Sequence, residues 1–227
     1  MGSKGNNRHI KRLAAHRYLN VERKVNPYVL KQNAGRHTLS LSIAIATLIK
    51  EKLGFAKTAD EARRILKAGS VEVNGKVIKD SRYPVGFGDI ILFKPNSEKY
   101  SVGVGSKGVV DMKKVESDER QVLKVTGKYI AKSNKEMIRL HDGTIHPSVK
   151  GVSVNDSVVL KGGKVGEVLK LEEGARCLVI KGVHTSEEGK VVQIKKGTAL
   201  RDATVEISGK GGNTETLLDN IVVIGAK

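Results

Sequence analysis

The stretch that decides the fold reads TADEARRILKAGSVEVNGKV and covers positions 58–77. Thr58 followed by Glu61 has the spacing of a capping box, which predicts that a helix begins there. Apolar residues then recur at helical spacing, and they are Ala59, Ala62, Ile65 and Leu66. The opposite face carries charged residues, and they are Asp60, Arg63, Arg64 and Lys67. Gly69 is expected to end this helix.

A β-hairpin is predicted directly after that helix. Asn74-Gly75 lies between alternating apolar residues, which is a strong hairpin signal, and it places Lys76 just after the turn. A further short strand is predicted at 89–93. Upstream, the helical repeat of Leu41, Ala44, Ile45, Leu48 and Ile49 predicts another helix, capped by Gly54. The stretch therefore belongs to a helix–helix–hairpin module over 41–92.

The motifs at 53–56, 58–66, 69–76 and 88–91 resemble the S-four RNA-binding domain, in the same order. In that family the second helix and the adjacent hairpin meet structured RNA. The resemblance therefore implies RNA contact by four cations, which are Arg63, Arg64, Lys67 and Lys76. The alternative for each of them is a solvated residue on a basic helix face, and the sequence leaves it open.

The overall composition favours a polyanion as the partner. The chain has 227 residues, a formal net charge of +17 and a pI near 9.9. Such a balance is typical of nucleic-acid binders, although a basic protein without that role is the open alternative. Apolar residues make up 39%, aromatic residues only 4%, and Trp is absent. We therefore expect small cores of Val, Ile and Leu.

The basic charge is concentrated in residues 1–40, a predicted extended tail with a net charge of +8, whereas residues 172–227 are neutral. The tail is too poor in apolar residues to fold alone, and its cations and its rings, among them Tyr18 and Tyr28, suit a segment that orders on RNA. A disordered solubility arm is the alternative. The expected RNA contacts in the tail are Lys4, Arg8, Lys11, Arg12, Arg17, Arg23, Lys24 and Arg36.

Residues 93–171 are predicted to form short strands around Gly and Asp/Asn turns, as in a small barrel or curled sheet. His141-Asp142 has two interpretations. It matches part of a metal site or an acid–base pair, but two residues are too few for a metal site. Asp142-Gly143 is also a good hairpin turn, which is the favoured interpretation.

Residues 172–227 contain two apolar strands, around 174–182 and 189–194, and a last strand near 217–225. The pair resembles the KOW motif, a small β-barrel element of ribosomal proteins and of transcription and translation factors. Ser186 stands where that motif often has a glycine, and Glu187-Glu188 add negative charge. Contact with RNA and packing against a protein neighbour therefore both stay open. Cys177 alternates with apolar residues and is expected in the core.

The whole chain is predicted to be an α+β, multi-domain and mostly β protein. Its segments are the tail (1–40), the S-four αα-hairpin domain (41–92), a β-rich central domain (93–171) and a KOW-type, SH3-like small barrel (172–227). This order resembles the S-four-e family of small-subunit ribosomal proteins, in its archaeal form. The resemblance implies a structural role on small-subunit ribosomal RNA, beside neighbouring ribosomal proteins. It implies no catalysis and no cofactor, and we also expect no metal and no small-molecule substrate.

Several other classes are disfavoured. The sequence lacks the run of about 20 apolar residues that a membrane span needs. A lone cysteine excludes an internal disulfide and suits the cytoplasm, where ribosomes work. An RNA-modifying enzyme with an S-four domain would need a large catalytic domain, which the short strands do not suggest. A transiently bound translation or transcription factor is the remaining alternative.

Overall fold

The protein is described by a computed structural model that covers residues 9–115, 120–132, 134–198, 201–209 and 211–225. It is an α+β protein, mostly β, as predicted. The described residues group into two compact units. One unit contains the chain up to position 103 and positions 109–115, and the other contains 104–108 and the described residues from 120 onward. The division into four segments stays a prediction.

The first unit contains both helices, α1 (Ile45–Glu51) and α2 (Ala59–Lys67). Its sheets have the orders β1-β2, β3-β6 and β5-β4-β7-β8-β9. The strands are β1 (His9–Lys11), β2 (Tyr28–Leu30), β3 (Ser42–Ala44), β4 (Val71–Val73), β5 (Lys76–Val77), β6 (Pro84–Gly86), β7 (Ile90–Phe93), β8 (Glu98–Gly105, of which 98–103 belong to this unit) and β9 (Val109–Lys114).

The first helix is shorter than the sequence predicts. Its periodic pattern begins at Leu41, but the helix begins only at Ile45. Strand β3 occupies Ser42–Ala44 instead and pairs antiparallel with β6, with Ile43 opposite Val85. All three β3 residues are buried. A segment buried on every side fits helical and extended patterns alike, and here pairing with a distant strand decides between them.

The basic N-terminal segment is folded into the first unit from residue 9 onward. Leu19 is fully buried, and Tyr18 and Val29 are nearly so. The segment contacts α1, β3 and β9, and within it β1 and β2 pair antiparallel as the β1–β2 hairpin. The segment contributes its apolar residues to the core of the first unit. Residues 9–40 are therefore part of the fold of the first unit.

The second unit begins with a five-stranded antiparallel sheet of order β12-β11-β10-β13-β14. Its core contains Leu123, Val125, Ile138, Leu140 and Val158. The predicted strands and turns of this region are present. The strands are β10 (Gln121–Ile130), β11 (Glu136–Leu140), β12 (Ile145–Pro147), β13 (Ser157–Lys161) and β14 (Lys164–Leu169).

The C-terminal sheet has the order β18-β17-β16-β15-β19, so the last strand joins the predicted pair. Its strands are β15 (Arg176–Val179), β16 (Glu188–Lys195), β17 (Thr204–Gly209), β18 (Gly212–Leu217) and β19 (Ile221–Gly225). The sequence did not predict the β17–β18 hairpin. Val159, Leu169, Ala175 and Val223 share one apolar cluster across position 172, so the central and C-terminal sheets belong to one unit.

Candidate nucleic-acid interface

Helix α2 begins with the predicted cap. The Thr58 hydroxyl accepts a hydrogen bond from the Glu61 amide at 3.2 Å, and the Glu61 carboxylate accepts one from the Lys57 amide at 2.8 Å. These contacts satisfy amides that have no partner inside the first helical turn. Ala62 and Leu66 are buried, which fixes the rotation of the helix about its axis. The basic face is consequently turned outward.

The cations of that face differ in their surroundings. Arg63 forms an ion pair with Asp60, with 2.6 Å between Nη1 and Oδ1, and both side chains are largely exposed. Arg64 and Lys67 are exposed on the same face. An exposed ion pair is worth little, so Arg63 can exchange Asp60 for a phosphate at low cost.

The predicted hairpin lies next along the chain and adds Lys76. Asn74 and Gly75 have φ values of +51° and +75°, as the tight turn requires. Lys76 pairs with Val73 across the turn and is exposed. The Asn74 side chain donates to Asp89 Oδ1 at 2.7 Å and accepts from the Ile90 amide at 2.9 Å. The turn is therefore anchored to β7.

The cations of the N-terminal segment differ in their exposure to solvent. Lys11, Arg17, Arg23 and Lys24 are exposed, and their contact with RNA stays a prediction. Arg12 is only 3% exposed; it pairs with Glu51 and donates to the Glu22 carbonyl at 2.6 Å. The Arg12 guanidinium therefore holds the segment onto α1, and its contact with RNA stays a prediction that this burial disfavours. Lys4 and Arg8 lie outside the described residues.

A pocket of about 560 Å³ lies where the segment 31–39 meets the loop after β5. Lys31, Arg36 and Arg82 line it, and Arg82 Nε donates to the Lys31 carbonyl at 3.0 Å. Arg36 is half-buried. Sequence reasoning missed Lys31 and Arg82 as candidates, because their proximity depends on a contact between positions 51 residues apart.

In the second unit, His141-Asp142 forms a turn. Asp142 Oδ1 accepts from the Thr144 amide at 2.9 Å, and His141 Nδ1 accepts from the Lys124 amide at 3.0 Å. Gly143 has a φ of +79°. Both side chains thus stabilise the backbone, in agreement with the turn interpretation. Within the residues that the structure describes, no group of three His, Cys, Asp or Glu side chains is arranged to hold a metal ion.

The loop between β15 and β16 keeps a glycine-like conformation. Ser186 has a φ of +77°, in the left-handed region that glycine adopts most easily. Its amide donates to the Val179 carbonyl at 2.8 Å, so the turn closes despite the serine. His184 Nδ1 lies 3.2 Å from Glu187 Oε1. The resemblance to the KOW motif stays a prediction, and RNA and a protein neighbour both stay open as the partner of this loop.

Residues 46–91 match the family model of the S4 domain, as the motifs around α2 and the hairpin predict. The chain is 31% identical to the small ribosomal subunit protein eS4 of Archaeoglobus fulgidus, covering 96% of this chain and 94% of that protein. It is 32% identical to the eS4 protein of Methanocella arvoryzae, with the same two coverages. This chain belongs to the eS4 family of small ribosomal subunit proteins.

The solved structures agree with this membership. The crystal structure of the 30S ribosomal protein S4e from Thermoplasma acidophilum has a TM-score of 0.68 to this eS4 family member and 28% sequence identity. The match covers 82% of this chain and 96% of that one. A helix long and apolar enough to cross a bilayer is absent from the described part of the chain.

Proposed function

We propose that this protein is a structural constituent of the small ribosomal subunit and binds ribosomal RNA without catalysing a reaction. Membership of the eS4 family over nearly the full length is the observation that carries the proposal. Ribosomal RNA and neighbouring ribosomal proteins are its partners in this proposal, and the ribosome in the cytoplasm is its location.

The exposed cations Arg64, Lys67 and Lys76 supply the chemistry for this role. Each cation that neutralises a phosphate releases condensed counterions, so affinity falls steeply as salt rises. Duplex RNA presents few base edges to side chains, so we expect contacts with backbone and shape to dominate. The helix and the hairpin are held rigidly by the Thr58 cap and by Asn74, so little order has to be gained on binding.

The test replaces Arg64 and Lys67 by Gln in one variant of the full chain. We expect weaker binding to a structured fragment of small-subunit RNA and a salt slope that is lower by roughly one for each lost contact. A matched control replaces Lys161 and Lys164, two exposed lysines at the β13–β14 turn, by Gln. If the variant with Arg64 and Lys67 replaced has the same salt slope as the wild type, α2 does not contact the RNA.

Association with the subunit separates a constituent from a transient factor. The proposal expects the protein to be stoichiometric in purified small subunits and to remain there through a high-salt wash. Release by the wash would favour the factor. Turnover of an RNA substrate by the purified chain would instead favour an RNA-modifying enzyme.

A further inference from the structure

The outer face of the β1–β2 hairpin carries an exposed aromatic ring. Tyr28 pairs with Lys11 across the two strands, and Val29, the next residue of β2, points to the core and is 5% exposed. The alternation of β2 therefore turns Tyr28 outward, where its side chain is 57% exposed. The ring of His9 lies on the same face, with its centroid 6.0 Å from that of Tyr28 and the ring planes tilted by 53°.

Two aliphatic side chains extend this apolar surface. Leu13 is 69% exposed and Val25 is 64% exposed, although neighbouring Ala15 and Leu19 are buried. Together with Tyr28 they line a pocket of about 480 Å³. Large apolar side chains gathered around one concavity, rather than scattered singly, mark a place where a ligand removes apolar surface from water.

Cations surround the same pocket. Lys11, Arg23 and Lys24 line it, and none of its lining residues is acidic. The Arg23 guanidinium donates to the Leu13 carbonyl at 3.4 Å, which bridges the two sides of the pocket. A pocket lined by apolar side chains and cations matches a ligand that combines a flat apolar body with negative charge.

A nucleotide of single-stranded RNA has this combination, because an unstacked base presents a flat π-face and its flanking phosphates are anionic. An acidic protein segment could satisfy the cations, but it would leave the exposed ring without a flat partner. Tyr18 provides the contrast within the same segment. It is 3% exposed, and burial, followed by the nearby charge of Asp89, raises the pKa of its hydroxyl above the ordinary range.

We propose that this pocket holds one unstacked base of single-stranded ribosomal RNA against the ring of Tyr28, with its phosphates on Lys11, Arg23 and Lys24. The proposal rests on the proposed function and deepens it. The basic face of α2 would bind phosphates of structured RNA, whereas the β1–β2 hairpin would bind an unstacked base from an RNA loop or junction.

The test measures binding of the full chain to a short single-stranded RNA and to a duplex, for Tyr28→Ala, Tyr28→Phe and the wild type. We expect Tyr28→Ala to weaken single-strand binding about tenfold, the loss of one stacked base, and to change duplex binding by less than about twofold. Tyr28→Phe keeps the ring and should bind within about twofold of the wild type. Tyr129→Ala, at another exposed tyrosine, is the matched control.

Photocrosslinking identifies the stacked residue directly. A single-stranded RNA carrying one 5-iodouridine should crosslink to Tyr28 in the wild type, and the crosslink should disappear in Tyr28→Ala. Unchanged single-strand affinity together with an unchanged crosslink pattern would overturn the inference. Loss of binding in Tyr28→Phe would also overturn it, because the hydroxyl rather than the ring would then make the contact.

The outcomes separate this inference from the function on which it rests. If Tyr28→Ala has no effect while the Arg64 and Lys67 variant still weakens duplex binding, the inference alone fails. If Tyr28→Ala impairs subunit assembly but leaves single-strand binding unchanged, a protein occupies the pocket and the base does not. If the wild type binds neither RNA, both proposals fail.

Discussion

His37 Nε2 lies 2.8 Å from Asp89 Oδ2, and both side chains are buried. His37 belongs to the basic N-terminal segment, whereas Asp89 directly precedes β7 of the S4 domain. Asp89 also accepts hydrogen bonds from the Gly86 amide at 3.0 Å and from the Asn74 side chain at 2.7 Å. One carboxylate therefore joins the segment, the strand β6 and the hairpin turn.

Replacing Asp89 by Ala tests this junction. The change removes the acceptor of the buried Gly86 amide and of the half-buried Asn74 side chain, and it removes the partner of the buried His37 ring. We therefore expect the free energy of unfolding to fall by about 3 kcal/mol. Urea unfolding of the full chain, followed by circular dichroism, measures the loss. Asp111→Ala, at an exposed aspartate of β9, is the control and should change stability by less than about 0.5 kcal/mol. A loss that small in Asp89→Ala would show that the network is dispensable.

Arg12 and Arg17 should have opposite effects when replaced by Ala. Arg12→Ala leaves Glu51 without its buried partner, so we expect a loss of about 3 kcal/mol in stability and an unchanged salt slope of RNA binding. Arg17→Ala removes an exposed cation, so we expect unchanged stability and a salt slope lower by roughly one. Urea unfolding and RNA titrations at several salt concentrations give both quantities. A reduced salt slope in folded Arg12→Ala would contradict its assignment to the core.

The burial of Lys124 should make the free energy of unfolding depend on pH. Its side chain is 2% exposed and Nζ donates to the Leu218 carbonyl at 2.6 Å. Burial lowers the pKa of Lys124 from 10.5 to about 8; the charge of Asp219 opposes this shift and that of Lys181 adds to it. Between these two pKa values the unfolded chain binds more protons than the folded one, so the contribution of Lys124 to stability rises with pH. Below pH 8 the full penalty of burying the charge remains.

Comparison with Lys124→Met isolates this contribution. We expect the stability of the wild type relative to the variant to rise by about 2 to 3 kcal/mol between pH 7 and pH 10. Lys128→Met, at an exposed lysine of the same strand, should show no such trend. Urea unfolding at a series of pH values gives the curves. Parallel curves for the wild type and Lys124→Met would refute the lowered pKa.

Cys177 is expected to be unreactive in the folded protein. It is fully buried in the apolar core of the C-terminal sheet, and burial raises the pKa of its thiol to about 11. The thiolate is the reactive form, so a disulfide reagent at neutral pH should label Cys177 slowly in buffer and completely in urea. A variant with Ser208→Cys supplies an exposed reference thiol. Equal labelling rates for the two thiols in the folded protein would contradict the core assignment.

The sequence by itself determined the elements that depend on neighbours along the chain. The Thr58 cap, the ends of α2, the Asn74-Gly75 turn and the Asp142-Gly143 turn all follow the prediction. Each is decided by hydrogen bonds and backbone conformations within a few residues, so the local pattern contains the necessary information. The same motifs carried the resemblance to the S4 domain that the comparisons confirm.

Only the tertiary structure decided which side chains of equal chemistry face water. Arg12 and Arg17 are alike in sequence, but Glu51, 39 positions from Arg12, holds that arginine inside the fold. Tyr18 is buried and Tyr28 is exposed for the same kind of reason. Pairing with β6 likewise makes Ser42–Ala44 a strand. These outcomes depend on burial against distant residues, and apolar spacing along one segment does not specify the surface that will cover it.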